Sequence, residues 1–266
     1  MGSTLRFVFC AATCALLFAC SDADPDREAK KAKTDFKARL TLAPVEPLQE
    51  HKPAAMITKL LDLKTFRAIT NDQLQTLYTQ KIHLFLIDPT FTDFHHLHPQ
   101  PTETPGIYSV RFTPRLGTTY RAWAEISPSV AGTSIFASDD LGYPRGGMMR
   151  STSSLNAAMG RHNFSLSFDT KLKVDETTAA NIHITDKSGA AVSMLEPHMG
   201  ASAHIIAFYD DFRTVEHLTA YSTTSGVRFD FTPTKDGFVK LFLQVKIAGK
   251  MVTVPFGIVV PPDEES

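Results

Sequence analysis

The feature that most constrains this chain is that it repeats itself. Set HLFLIDPTFTDFHHL, from His83, over HIIAFYDDFRTVEHL, from His204. At one constant offset and with no gap, His83 meets His204, Phe91 meets Phe212, His96 meets His217 and Leu97 meets Leu218. Upstream, Leu74 meets Leu195. Downstream, with small deletions, GIYSVRFTP meets GVRFDFTP and TTYRAWAEI meets GFVKLFLQV. A repeat of about a hundred residues is an ordinary size for one domain, so the pattern predicts two copies of one folding unit. Within the first copy, short β-type runs are set apart by turn residues: KARLTL, AAMITKLLDL, KIHLFLID, IYSVRFTP, TTYRAWAEI and GTSIFAS. Such runs, without sustained helical periodicity, predict an all-β chain of two tandem immunoglobulin-like β-sandwich domains. TNDQLQTLYTQ is ambiguous between a short helix and a loop, with NDQL as a helix start.

The N-terminus carries a different signal. MGSTLRFVFCAATCALLFAC has one early cation, Arg6, and then an apolar run from Phe7 to Ala19. That run is too short to span a bilayer as a helix but suits the apolar core of a signal peptide. It ends in LFAC, which resembles the lipobox of bacterial lipoproteins, in which the cysteine, here Cys20, is lipidated and becomes the first residue. The three cysteines are Cys10, Cys14 and Cys20, so cleavage before Cys20 leaves no free thiol and no disulfide, and excludes thiolate nucleophiles and cysteine metal sites. Ser21 after the cysteine implies delivery to the outer membrane, facing the periplasm. The expected order is a signal peptide over 1–19, a lipidated polar tether over 20–35, one sandwich over 36–141, a linker over 142–161, a second sandwich over 162–260 and a tail over 261–266. With 27 Lys and Arg against 28 Asp and Glu, and no basic cluster, nothing points to a nucleic-acid partner.

The histidines follow from strand arithmetic. In DPTF, Pro89 suits the first central position of a turn because its φ is already fixed. A two-residue loop there pairs Asp88 with Phe91, Phe85 with Phe94, and His83 with His96. A turn at Asp210 and Asp211 likewise pairs His204 with His217. Residues directly opposite have Cβ atoms about 5 Å apart on one face. Alternation then puts His98 on the face of His96 and turns His95 away. The first copy thus offers His83, His96 and His98, a plausible three-imidazole site for Cu(II) or Zn(II) with an open coordination position. Copper is favoured, since Cu(II) heads the affinity order at nitrogen sites. The second copy offers a weaker site at His204 and His217, with Thr219 in the third place. The competing reading is structural: KIHLFLID is apolar on both faces and reads as a central strand, where a histidine can simply bond a cross-strand partner. His51, His95, His162 and His183 read as surface or loop residues. Met148, Met149 and Met159 suit Cu(I) or an adaptable apolar contact. His198 and Met199 add ligands to the second site or serve as a tight lead-in to a strand. No G-x-S-x-G, H-E-x-x-H or phosphate loop is present, and no substrate pocket or general base is identified, so the chain reads as a binding protein and not an enzyme.

HLFLIDPTFTDFHHLHP and LEPHMGASAH, with the strands that follow, resemble a group of bacterial envelope proteins built of tandem immunoglobulin-like units. Their pattern is F-x-H-x-H-P, met by Phe94 to Pro99, and L-x-P-x-x-G-A-x-x-H, met by Leu195 to His204. The resemblance covers Phe36 to Val260. It implies a sandwich fold, and for some members copper or heavy-metal handling with other envelope proteins as partners. Carried over by position, its motif histidines are His83, His96, His98, His204 and His217. The second copy departs from the pattern, since HLTAY puts Thr219 and Ala220 where the motif closes with His-Pro.

Overall fold

Alternating burial marks the outer strands of the first half. In the computed structural model, which describes residues 36–142, 152–192 and 194–262, Ala38–Pro44 (β1) buries Leu40 and Leu42 and exposes Arg39, Thr41 and Ala43. One face meets a core and the other meets water. Ala54–Asp62 (β2) pairs with it antiparallel. A 3₁₀ turn at Asn71–Gln73 leads into Leu74–Gln75 (β3), so TNDQLQTLYTQ is a single helical turn followed by a short strand. Ile82–Ile87 (β4), Phe94–Leu97 (β5), Gln100–Pro101 (β6), Ile107–Phe112 (β7), Tyr120–Pro128 (β8) and Ile135–Leu141 (β9) complete this half. One sheet runs β1-β2-β7-β6; the other runs β3-β8-β4-β5, with β9 on β8. Leu40, Met56, Leu60 and Tyr108 from the first pack against Leu84, Leu86, Ala122 and Ala124 from the second. This is a β-sandwich.

The second half is built of Asn156–Met159 (β10), His162–Phe168 (β11), Thr178–Asp186 (β12), Ala203–Tyr209 (β13), Val215–Thr223 (β14), Gly226–Phe231 (β15), Gly237–Ile247 (β16) and Lys250–Val260 (β17). These form one sheet, in the order β10-β11-β12-β15-β14-β13-β16-β17. It curls around Phe164, Ile182, Phe229, Leu241 and Phe256. Ser154 and Gly257 join its ends through two backbone bonds of 2.8 and 3.1 Å. Among the described residues there is no α-helix.

Two features depart from the sequence expectation. Residues 156–159, within the stretch read as a linker, form β10, which pairs with β11. And the second half has one ladder where the first has two sheets. Proline explains the second difference. Pro99 lacks an N–H and interrupts the return strand, so β5 stays on β4 while β6 crosses to β7. Ala220 stands at the equivalent place in β14, which therefore continues unbroken from β13 to β15.

β4 and β13 are buried at every position because each has a second apolar neighbour. Their inner faces serve the two cores. Their outer faces meet: Phe85, Ile87, Phe94 and Trp123 pack with Ile206, Phe208, Val215 and Phe242. Phe94 stacks on Phe242 with ring centroids 4.6 Å apart, and Trp123 Nε1 donates to the Arg213 carbonyl at 3.1 Å. The histidines lie beside this aromatic seam.

Candidate metal centre

The register differs from the tight-turn expectation. Phe85 stands opposite His96 and Ile87 opposite Phe94, so the pairs Phe85–Phe94 and His83–His96 do not form; in the second half His204 faces Thr219 and His217 faces Ile206. Asp88 is the cause. Pro89 does follow it into a turn, with Phe91 N–H donating to the Asp88 carbonyl at 3.0 Å. But the Asp88 carboxylate accepts from the backbone N–H groups of Thr90, Thr92 and Asp93 at 3.0, 2.8 and 2.7 Å. The hairpin closes at Asp88–Asp93, not Asp88–Phe91. The slip is two residues, and a slip of two keeps every side chain on its face. His83, His96 and His98 therefore still share one face, with His96 diagonal to His83 rather than directly opposite it.

His83 is fully buried near the start of β4. Its Nε2–H donates to the Leu77 carbonyl at 2.9 Å. That carbonyl is presented by a two-residue turn closed by Leu77 and Gln80, with φ of 44° at Tyr78 and 69° at Thr79. His96, on β5, donates from Nδ1 to Gln244 Oε1 at 2.7 Å. Gln244 Nε2 in turn donates to Thr253 Oγ1 at 3.4 Å, leaving its oxygen for His96. The nitrogens that remain, His83 Nδ1 and His96 Nε2, face each other at 2.9 Å. His98 Nε2 lies 3.2 Å from His96 Nε2, and one nitrogen from each ring falls within 4.8 Å of the others.

This arrangement is chemically incomplete. A carbonyl only accepts, so His83 carries its proton on Nε2 and offers a lone pair at Nδ1. By the same reasoning His96 offers a lone pair at Nε2. Two lone pairs thus point at one another. A proton on His98 Nε2 can satisfy His96 but leaves His83 unmet. Burial pushes all three imidazoles below the ordinary histidine value, His96 well below it and His98 down to about 3, with the neighbouring rings adding to the effect on His96 and His98. They stand neutral at physiological pH, with lone pairs free to bind. Three nitrogens about 2.0–2.1 Å from one ion lie roughly 3.3 Å apart in tetrahedral geometry, close to the 2.9 and 3.2 Å observed. The cluster can hold a metal ion.

The second pair repeats the first with two changes. His204 Nε2–H donates to the His198 carbonyl at 3.0 Å, His217 Nδ1–H donates to Glu125 Oε2 at 2.7 Å, and His204 Nδ1 faces His217 Nε2 at 3.1 Å. Here a carboxylate stands where the first pair has an amide. The third place is taken by Thr219, whose hydroxyl is hydrogen-bonded to that of Tyr78 at 2.7 Å. Tyr78 also packs edge-on against His83 and His204. Burial lowers His204 to about 4.

His95 is not a loose surface residue. Its side chain is largely buried, with Nε2 3.0 Å from Asp93 Oδ1, because β5 turns it toward Phe112 and Tyr120. His51 and His183 are exposed and His162 is half-buried on β11. His198 contributes its carbonyl to the second pair, and Met199 and Gly200 form the turn behind it with φ of 51° and 76°. Met159 ends β10, partly exposed; Met148, Met149 and Cys20 lie outside the described residues. Glu125 and Gln244 went unrecognised in the sequence, although aligning TTYRAWAEI with GFVKLFLQV sets them at one position as polar residues in apolar strands.

Residues 157–262 match a family model described as a domain of unknown function (DUF8832). No curated protein matches the chain. Among solved structures, a DUF4785 family protein from Legionella pneumophila is similar at 10% identity and a TM-score of 0.27; the alignment covers 83% of this chain and 57% of that one. The D00-D0 domain of intimin is similar at 11% identity and a TM-score of 0.24, covering 84% of this chain and 99% of that one.

Proposed function

We propose that this chain is a lipid-anchored protein of the bacterial envelope that binds a single transition-metal ion at His83, His96 and His98, copper in preference to zinc. The observation that carries the reading is the pair of lone pairs on His83 Nδ1 and His96 Nε2, held face to face at 2.9 Å by hydrogen bonds on their far nitrogens. A metal ion satisfies both at once and recruits His98. Three neutral nitrogens and no thiolate suit Cu(II), which heads the affinity order at such sites. His204 and His217, with a hydroxyl in the third place, make a weaker second site. The leader ending at Cys20 supports lipidation, with the fold held in the periplasm at the outer membrane and other envelope metal-handling proteins as partners. The role is binding or transfer, not catalysis.

Metal analysis of the purified chain, with a Cu(II) titration, tests this. One ion per chain is expected, with binding lost in the double variant His96→Ala, His98→Ala; unchanged affinity in that variant ends the proposal. A second reading has its own support. The same histidines form hydrogen bonds that cross between the halves, as in a purely structural or protein-interaction module of the envelope. That reading predicts a melting temperature indifferent to chelator.

A further inference from the structure

The two halves hold each other's histidines. Glu125 stands opposite His83 in its own sheet, and Gln244 stands opposite His204 in the other. Each side chain reaches across to the return-strand histidine of the other half. Gln244 Oε1 accepts from His96 Nδ1, and Glu125 Oε2 accepts from His217 Nδ1, both at 2.7 Å. We infer that Gln244 is a positioning residue for the metal centre, so that a site whose ligands all belong to the first half is complete only when the second half is docked on it. The inference rests on the metal reading above.

Which ring nitrogen carries the proton decides whether His96 can bind an ion. His96 can bind an ion through Nε2 only if its proton sits on Nδ1 and its ring is held in place. Gln244 Oε1 does both, and the bond from its own Nε2 to Thr253 fixes which end of the amide faces the ring. For His83 the same service comes from Leu77, within the first half. For His96 it comes from β16, 148 residues on in the chain. A ring flip that lost this bond would carry Nε2 away from His83 and His98. A depression of about 460 Å³ between the halves, lined by Phe94, His96, Gln244 and Thr253 among others, opens this pair to solvent. An ion bound to His96 therefore strengthens a contact that spans the interface, and separation of the halves weakens the ion's hold.

Cu(II) titration of the full chain tests this in wild type, Gln244→Ala, Gln244→Glu and Glu125→Gln, with the copper EPR spectrum recorded for each. Gln244→Ala is expected to lose about 10–100-fold in affinity and to change the nitrogen pattern of the spectrum. Gln244→Glu keeps an acceptor oxygen and should restore most of the affinity. Glu125→Gln, the mirrored position on the other pair, should leave the affinity of the His83, His96 and His98 site unchanged and alter only the weaker second site. Wild-type binding with Gln244→Ala equally tight would overturn this inference alone, as would equal losses in Gln244→Ala and Glu125→Gln, which mark a general interface effect. No copper binding by the wild type would overturn the metal reading and this inference with it.

Discussion

Replacing His98 by threonine makes the first pair resemble the second, and the structure sets the size of the effect. The His98 ring has one polar contact among the described residues, 3.2 Å to His96 Nε2, and it sits after the end of β5, outside the ladder. Removing it should cost the metal-free protein about 1 kcal/mol or less. The metal-bound protein loses one ligand of three. An ion at a hundred times its Kd stabilises the folded state by about 2.7 kcal/mol. At about 2–4 °C per kcal/mol for a chain of this size, the wild type should melt about 5–11 °C higher with Cu(II) than with chelator. In His98→Thr at the same copper concentration, two imidazoles remain and most of that rise should vanish, while the melting temperature in chelator barely moves. Differential scanning calorimetry with and without copper reads both numbers. A full copper-induced rise in His98→Thr would rule out His98 as a ligand, because the ion would then be held elsewhere or by the pair alone.

The metal-free protein should lose stability as pH falls. His98 is depressed to about 3 and His204 to about 4 in the folded state, while the unfolded chain takes up these protons near pH 6.5. Between those values the unfolded state binds more protons, so stability is full above about pH 6.5 and declines toward pH 4; urea midpoints that stay level over that range would contradict this. Asp93→Asn should cost about 1–3 kcal/mol, because Arg115 is largely exposed and the loss falls on buried hydrogen bonds. Its buried carboxylate accepts from Arg115 N, Arg115 Nε and Tyr120 Oη at 2.8, 2.7 and 2.6 Å, and although burial pushes its pKa up, bonds from His95, Tyr120 and Arg115 hold it well below the usual carboxylate range. A loss under about 1 kcal/mol in chemical denaturation would show that the cluster matters little. Phe208→Ala empties the centre of the seam, where its ring meets Phe91, Phe94, Trp123 and Phe242. A loss of about 3–5 kcal/mol is expected, and retention of wild-type stability would mean that the halves are not held together there.

Strand content was legible because alternation and β-branched runs are local properties: KARLTL and IYSVRFTP fall on β1 and β7. The common face of His83, His96 and His98 was legible too, because side-chain period survives any even slip. The register was not. It depended on Asp88 capping a longer loop through its side chain, and an aspartate before a proline looks the same in a two-residue turn. His95 was misjudged because its partner, Asp93, is itself fixed by Arg115 and Tyr120, which are distant in sequence. Gln244 and Glu125 lie further still from what local patterns show, since their role exists only once two strands from different halves face one another.

Three substitutions between the copies separate two otherwise equal pairs. Pro99 against Ala220 breaks one return strand and leaves the other whole. The break frees the residue before it, His98, from the ladder, so that its ring can turn toward His83 and His96, whereas Thr219 is held in register opposite His204. Gln244 against Glu125 then sets the charge. In the second pair a carboxylate, Glu125 Oε2, accepts from His217 Nδ1 at 2.7 Å and orients that ring across the halves. In the first pair a neutral amide, Gln244 Oε1, orients the His96 ring in the same way without adding charge. The repeat thus supplies two copies of one hydrogen-bonded frame, and divergence at these three places gives one pair a carboxylate partner and a hydroxyl, and the other an amide partner and a third imidazole that lets it hold an ion.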